Sequence, residues 1–181
     1  ATAPSGVRTF RFAAVGDSGD GSPQAAALAR RILASRPAFV LHLGDLAYNS
    51  STPQELDRRF FRPYAALLAR SPFFPTPGNH DLNRKSAFFD VFGPAGGDRA
   101  HPHYVFEWAG TRVVSLASRR MADGDGVGWL ADTLADARPN PWRIVFLHEP
   151  PLMLGSKVVV RGLRDTVEPL LEAGKVDLVL A

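Results

Sequence analysis

Ala38-Phe39-Val40-Leu41-His42-Leu43-Gly44-Asp45-Leu46-Ala47-Tyr48 is the stretch that decides the fold. Residues 38 to 43 are an almost unbroken apolar run, which reads as a short strand buried on both faces. Gly44 permits a tight turn, and Asp45 follows at once. A carboxylate just past a buried strand stands where α/β sheets bind ligands, outside the carboxyl ends of the strands. The pattern recurs on both sides. Phe10 to Val15 leads into Gly16-Asp17-Ser18-Gly19. Phe73-Phe74 leads through the rigid turn Pro75-Thr76-Pro77 into Gly78-Asn79-His80-Asp81. Arg143 to Leu147 runs straight into His148.

Helices are expected between these strands. Ser22-Pro23 gives an N-cap and a proline at the first helical position, and Pro37 closes that helix. Thr52-Pro53-Gln54-Glu55 is a capping box opening a second helix, which Pro63 is expected to break or kink before Tyr64 to Arg70. Residues 81 to 102 are punctuated by Gly and Pro and read as a surface loop. His103 to Trp108 and Arg112 to Leu116 form a hairpin across Ala109-Gly110-Thr111. Val127 to Ala137 is helical, with Trp129, Leu130 and Leu134 on one face. Arg164 to Ala173 is a helix capped by Gly174. Val176 to Leu180 is the last strand. Alternating strand and helix gives an α/β class with a largely parallel sheet and one antiparallel insertion.

Composition narrows the function. The 181 residues suit one domain, 1–181, with a sizeable core. The net charge is +3, and the arginines come as scattered pairs such as Arg30-Arg31, Arg58-Arg59 and Arg119-Arg120. That is a solvated surface with no nucleic-acid motif and at most a weak pull on anions. No apolar run approaches the ~20 residues of a membrane span. Absence of Cys excludes disulfides and thiolate ligands, leaving oxygen and nitrogen donors for hard or borderline cations. Residues 1 to 6 lack the basic start and apolar stretch of a signal peptide. A start without Met suggests a mature, exported form or an excised piece.

The strand-end residues suit a two-metal site. Two cations about 3.5–4 Å apart clamp a phosphoryl group and turn a bound water into hydroxide near neutral pH. Asp45 is the candidate bridging carboxylate and Asp17 a terminal one. Asn79 offers a carbonyl oxygen and His148 an imidazole nitrogen. Tyr48 offers a phenolate, a donor suited to ferric iron. His80 can protonate a leaving alkoxide, and Asp81 can fix its tautomer. Each has a plain structural alternative: loop caps for the aspartates, turn residues for Asn79 and Asp81, a packed aromatic for Tyr48. Four such coincidences in order favour the site. His42, inside a buried strand, reads as a satisfied core histidine. His101 and His103 have no assigned partner.

These blocks resemble those of the calcineurin-like metallophosphoesterases. Tyr48, and Gly19 where many members have His, resemble the purple acid phosphatase-like branch. The resemblance implies a β-sandwich flanked by helices and two metal ions, Fe with Fe, Zn or Mn. It implies Asp17 and Tyr48 on the first metal, Asp45 bridging, and Asn79 and His148 on the second. His80 becomes proton donor or phosphate contact, and a metal-bound hydroxide the nucleophile. The substrate is then a small phosphate ester. The family also carries a Gly-His-x-His block after the strand resembling 176 to 180. The expectation is therefore that the C-terminal part is missing, and that a further segment or second chain completes the site. The alternative is a catalytically incompetent fragment or scaffold of the same fold.

Overall fold

The computed structural model describes residues 6, 9–96, 99–123, 125–135, 142–152 and 162–181. Two sheets stack face to face with helices outside them. The first holds three parallel strands in the order β1 (Ala13–Val15), β2 (Val40–His42), β3 (Phe73–Pro75). The second holds β4 (Tyr104–Trp108), β5 (Thr111–Leu116), β6 (Trp142–Leu147) and β7 (Leu178–Leu180). There β4 and β5 are antiparallel, while β5, β6 and β7 run parallel. The single sheet expected from the alternation of elements is thus divided in two, consistent with the sandwich that the family resemblance implied.

The burial pattern explains the division. Side chains alternate across a strand with period two. Phe39 and Leu41 of the β2 stretch meet Phe74, Trp108, Val113, Ile144 and Phe146 between the sheets. Phe39 lies within 5.2–5.9 Å of the rings of Phe12, Phe74, Phe106 and Trp108, and Phe74 stacks on Phe106 at 3.9 Å. Val15 and Val40 face the other way, under α1 (Pro23–Ala34) and the helices α2 (Pro53–Leu56) and α3 (Arg62–Leu68). Val114, Leu116, Val145 and Leu147 pack beneath α5 (Asp125–Ala135) and α6 (Leu163–Ala173). Both faces of each sheet are covered, so its strands read as apolar runs.

Local signals govern most boundaries. Ser22 caps α1, its side chain accepting from Ala25 N at 3.1 Å. Thr52 and Glu55 close the capping box of α2. Ala109 and Gly110 turn the β4–β5 hairpin with φ of 48° and 80°, the mirror-image geometry that matches strand twist.

The break or kink expected at Pro63 takes the form of a π-turn over Asp57–Phe61: Arg62 N–H reaches back to Asp57 O, and the chain continues as α3. The missing proline N–H is absorbed by this wider turn. One expectation is corrected: residues 81 to 102 are not all loop. They contain α4 (Phe88–Gly96), which puts Phe88 and Phe89 into the core of the first sheet. For the helix expected over 127 to 137, positions 136 and 137 lie outside the described residues. No helix among the described residues is long and apolar enough to cross a membrane.

Candidate metal centre

The parallel ladder of the first sheet continues just past its strands. Leu43 N donates to Val15 O at 2.7 Å, Asp17 N to Gly44 O at 3.1 Å, and Thr76 N to His42 O at 2.8 Å. Three turns are thereby gathered at one end of the sheet. Thr76 Oγ1 donates to Leu116 O at 2.8 Å and ties this end to the second sheet. Asp17 and Asp45 both adopt left-handed backbone, at φ 53° and 60°. That conformation costs L-residues about 1 kcal/mol or more and concentrates where function demands it.

Close approach explains the glycines. A Cβ on Gly44, itself at φ 100°, would lie 2.7 Å from His148 Nδ1 and 2.8 Å from Gly78 Cα. A Cβ on Gly78 would lie 2.5 Å from Asp45 N. Position 19 has the same character, since a Cβ there would meet Ala47 N at 2.5 Å. A histidine therefore has no room at 19.

Ligating atoms of Asp17, Asp45 and His148 all lie within 4.8 Å of one another. Asp45 is almost fully buried and Asp17 is exposed. Asp45 Oδ1 accepts the His80 N–H at 3.0 Å. His148 Nδ1–H donates to Leu43 O at 2.8 Å, so the lone pair is on Nε2. That Nε2 faces Asn79 Oδ1 at 3.1 Å and Asp45 Oδ2 at 3.6 Å. Tyr48 OH donates to Asp17 Oδ1 at 3.1 Å. His80 Nε2 stands 3.9 Å from Asp45 Oδ2, its ring edge-on to Tyr48 at 4.8 Å.

Burial and mutual repulsion dominate the electrostatics of this cluster. Burial raises the Asp45 carboxyl pKa, opposed by the His80 N–H and both imidazoles, while Asp17 raises it further. Burial and then the Asp17 charge push the Tyr48 phenol up. Among the described residues no Lys or Arg pairs with Asp17 or Asp45. Two carboxylates, an amide oxygen and an imidazole lone pair converge here. Such a set of hard and borderline donors fits a metal ion.

Asp81 stands elsewhere than its expected task requires. It is fully buried, and its carboxylate accepts from Asp45 N at 2.7 Å, Gly78 N at 2.9 Å, Leu46 N at 3.2 Å and the Ser51 hydroxyl. The His80 tautomer is set instead by Asn49 O, 2.6 Å from Nδ1. Burial raises the Asp81 pKa despite these donors. Asp81 thus fastens the turn carrying Asp45 to the turn carrying Asn79 and His80.

His42 is the satisfied core histidine anticipated. Gly44 N donates to its Nδ1 at 3.3 Å, so its Nε2–H donates to Ser18 Oγ at 2.9 Å. Burial, then the nearby His148, lowers its pKa to about 3. His103 stacks on Trp129 at 5.3 Å, and its Nδ1 accepts from Ala117 N at 3.2 Å. Sequence reasoning missed the backbone acceptors Leu43 O and Asn49 O, since no side chain advertises them.

A family model for the calcineurin-like phosphoesterases matches residues 10–181. The chain belongs to that family. Its members are metal-dependent phosphoester hydrolases, and Asp17, Asp45 and His148 form a candidate group for such metals. No curated protein matches the chain. Among solved structures it is similar to GAP50, the anchor in the inner membrane complex of Plasmodium, with a TM-score of 0.72 and 18% identity. The similarity covers 94% of this chain and 64% of that one, so the chain spans under two thirds of GAP50's length. At that identity the likeness is one of fold.

Proposed function

We propose that this chain is the metal-binding part of a phosphoesterase of the purple acid phosphatase-like branch, acting on small phosphate esters. The observation that carries the reading is the convergence of Asp17, Asp45 and His148 within 4.8 Å, with no Lys or Arg among the described residues paired to either carboxylate. Asp45 would bridge two metal ions, Asp17 and Tyr48 would hold one, and Asn79 and His148 the other. Tyr48 favours iron for the first, with Fe, Zn or Mn in the second. When bound, such a pair supplies positive charge for phosphoryl oxygens and acidifies a water.

The chain's own residues do the rest. Leu43 O fixes the His148 ring with its lone pair toward the donor set, and Asn49 O does the same for His80. His80 is about one third exposed, within reach of a substrate, and as imidazolium it delivers a proton from Nε2 to the departing alkoxide. Asp81 acts by positioning: it orients the Asp45 and Gly78 turns from behind. Ordering these groups before substrate arrives is what makes their electrostatics effective.

Hydrolysis of p-nitrophenyl phosphate after loading with iron and zinc, alongside metal content by mass spectrometry, tests the reading. The wild-type chain should bind metal and turn over. Asp45→Asn should lose paired metal and activity. Full activity with two metals in Asp45→Asn refutes the assignment. A non-catalytic scaffold is the second reading, favoured by the structural likeness to GAP50, an anchor. Under it, the wild type binds metal weakly and does not hydrolyse.

A further inference from the structure

A second polar cluster stands on the same rim. β5 and β6 pair in parallel with Leu116 opposite Leu147, so Ser118 and Glu149 each lie two residues beyond the last pair. Glu149 N donates to Ser118 Oγ at 3.1 Å, and the Ser118 hydroxyl donates to Glu149 Oε2. The other carboxylate oxygen, Oε1, accepts from Arg119 Nε. Glu149 directly follows His148. The cluster therefore begins one residue from the candidate metal donors.

This ion pair differs from an ordinary surface pair. In Arg62–Asp57 the side chains are 74% and 52% exposed, and such pairs contribute little. Glu149 is 14% exposed, Ser118 fully buried, and Arg119 52% exposed. A largely buried carboxylate commits both oxygens, one to a serine and one to a single guanidinium nitrogen. Nε is thereby engaged, and the two Nη groups of Arg119 have no partner among the described residues. The neighbouring Arg120 goes elsewhere, lining a small cavity with His101, His103 and Trp129. Arg119 is thus a half-exposed cation, held by its inner edge, three residues past the end of β5 and at the end of the sheet where β6 delivers His148.

We infer that Arg119, oriented by Glu149, anchors the phosphoryl group of the substrate and favours the dianionic group of a monoester over the monoanionic group of a diester. The inference rests on the phosphoesterase reading above. The planar Nη1/Nη2 fork matches two phosphate oxygens, and its preference grows with their charge. Lys at this position keeps the charge but loses both the fork and the Nε contact. Glu149 is a positioning residue here, since it acts through Arg119.

The test uses the wild-type chain, Arg119→Ala, Arg119→Lys and Glu149→Gln. Binding of inorganic phosphate is read by calorimetry, and hydrolysis of p-nitrophenyl phosphate and bis(p-nitrophenyl) phosphate by steady-state kinetics. Arg119→Ala should weaken phosphate binding about tenfold, as expected for losing a charge-assisted contact. It should raise KM for the monoester by a similar factor, raise it less for the diester, and leave metal content unchanged. Arg119→Lys and Glu149→Gln should fall between Ala and wild type. Phosphate binding by Arg119→Ala equal to wild type, no phosphate binding by the wild type, or equal losses on both esters would overturn the inference. A wild type that binds phosphate through Arg119 but takes up no metal would instead overturn the phosphoesterase reading alone.

Discussion

The two sheets bring their residues to the rim in different ways. The first sheet supplies Asp17, Asp45, Tyr48, Asn79 and His80 from three short turns, and one buried carboxylate, Asp81, binds two of those turns through four donors. His42 fastens the third, reaching Ser18 and Gly44 from inside β2. The second sheet supplies His148, whose ring is oriented by Leu43 O of the first sheet, and Arg119, whose guanidinium is half exposed. At the far edge of that sheet Leu178 and Val179 are each 39% exposed on β7. Rigid placement is therefore a property of the first sheet, where donor geometry must be held. The second sheet leaves the Arg119 guanidinium and the β7 edge more exposed.

If this contrast is correct, Asp81→Ala is the most damaging single change. It strands three buried backbone N–H groups, those of Asp45, Leu46 and Gly78, while the Ser51 hydroxyl keeps Ala47 O as an acceptor, and should cost about 3–5 kcal/mol in a chemical denaturation experiment. A loss below about 1 kcal/mol would mean that the turns are held some other way. His80→Ala touches a ring that is about one third exposed and lies outside that framework. It should lower turnover about 10²-fold while metal content and melting temperature stay near wild type. Loss of metal would show that His80 is a ligand.

Acid should expose the same framework. His42 is neutral in the fold, with a pKa of about 3 against an ordinary 6.5. The unfolded chain then takes up a proton that the folded chain refuses, so stability falls as pH drops from about 6.5 toward about 3. The slope from this residue is up to about 1.4 kcal/mol per pH unit. Thermal melts of wild type and His42→Asn across that range should differ in slope, and parallel curves would remove His42 from the account. On the open edge, Val179→Thr should change stability by under about 0.5 kcal/mol. A larger loss would show β7 to be as constrained as the first sheet.

Much of this was legible in the residues. A polar side chain just after each strand marks Asp17, Asp45, Asn79 and His148 for one rim, because the carboxyl ends of parallel strands share a side. Capping at Ser22 and Thr52 located two helix starts, because those signals are local. The helix α4 was obscured because Gly93, Pro94 and Gly96 punctuate it, while Phe88, Phe89 and Phe92 carry its apolar face. The division into two sheets was not visible from alternation of elements, since apolar runs do not say which strand they pair with. The contacts of Asp81 are hidden in the sequence because its partners are mostly backbone amides, which sequence does not distinguish. The Ser118–Arg119–Glu149 cluster gave no signal, since it depends on the β5–β6 register across about 30 residues.

The central claim is that this rim binds a pair of metal ions through Asp45 and its neighbours. Its most direct test is a calorimetric titration of the metal-free chain with zinc or ferrous iron, beside Asp45→Asn and Asp17→Ala/His148→Ala. The account predicts saturable binding near two metals per chain in the wild type, loss of pairing in Asp45→Asn, and little binding in the double variant. Wild-type binding unchanged in all three proteins would contradict it.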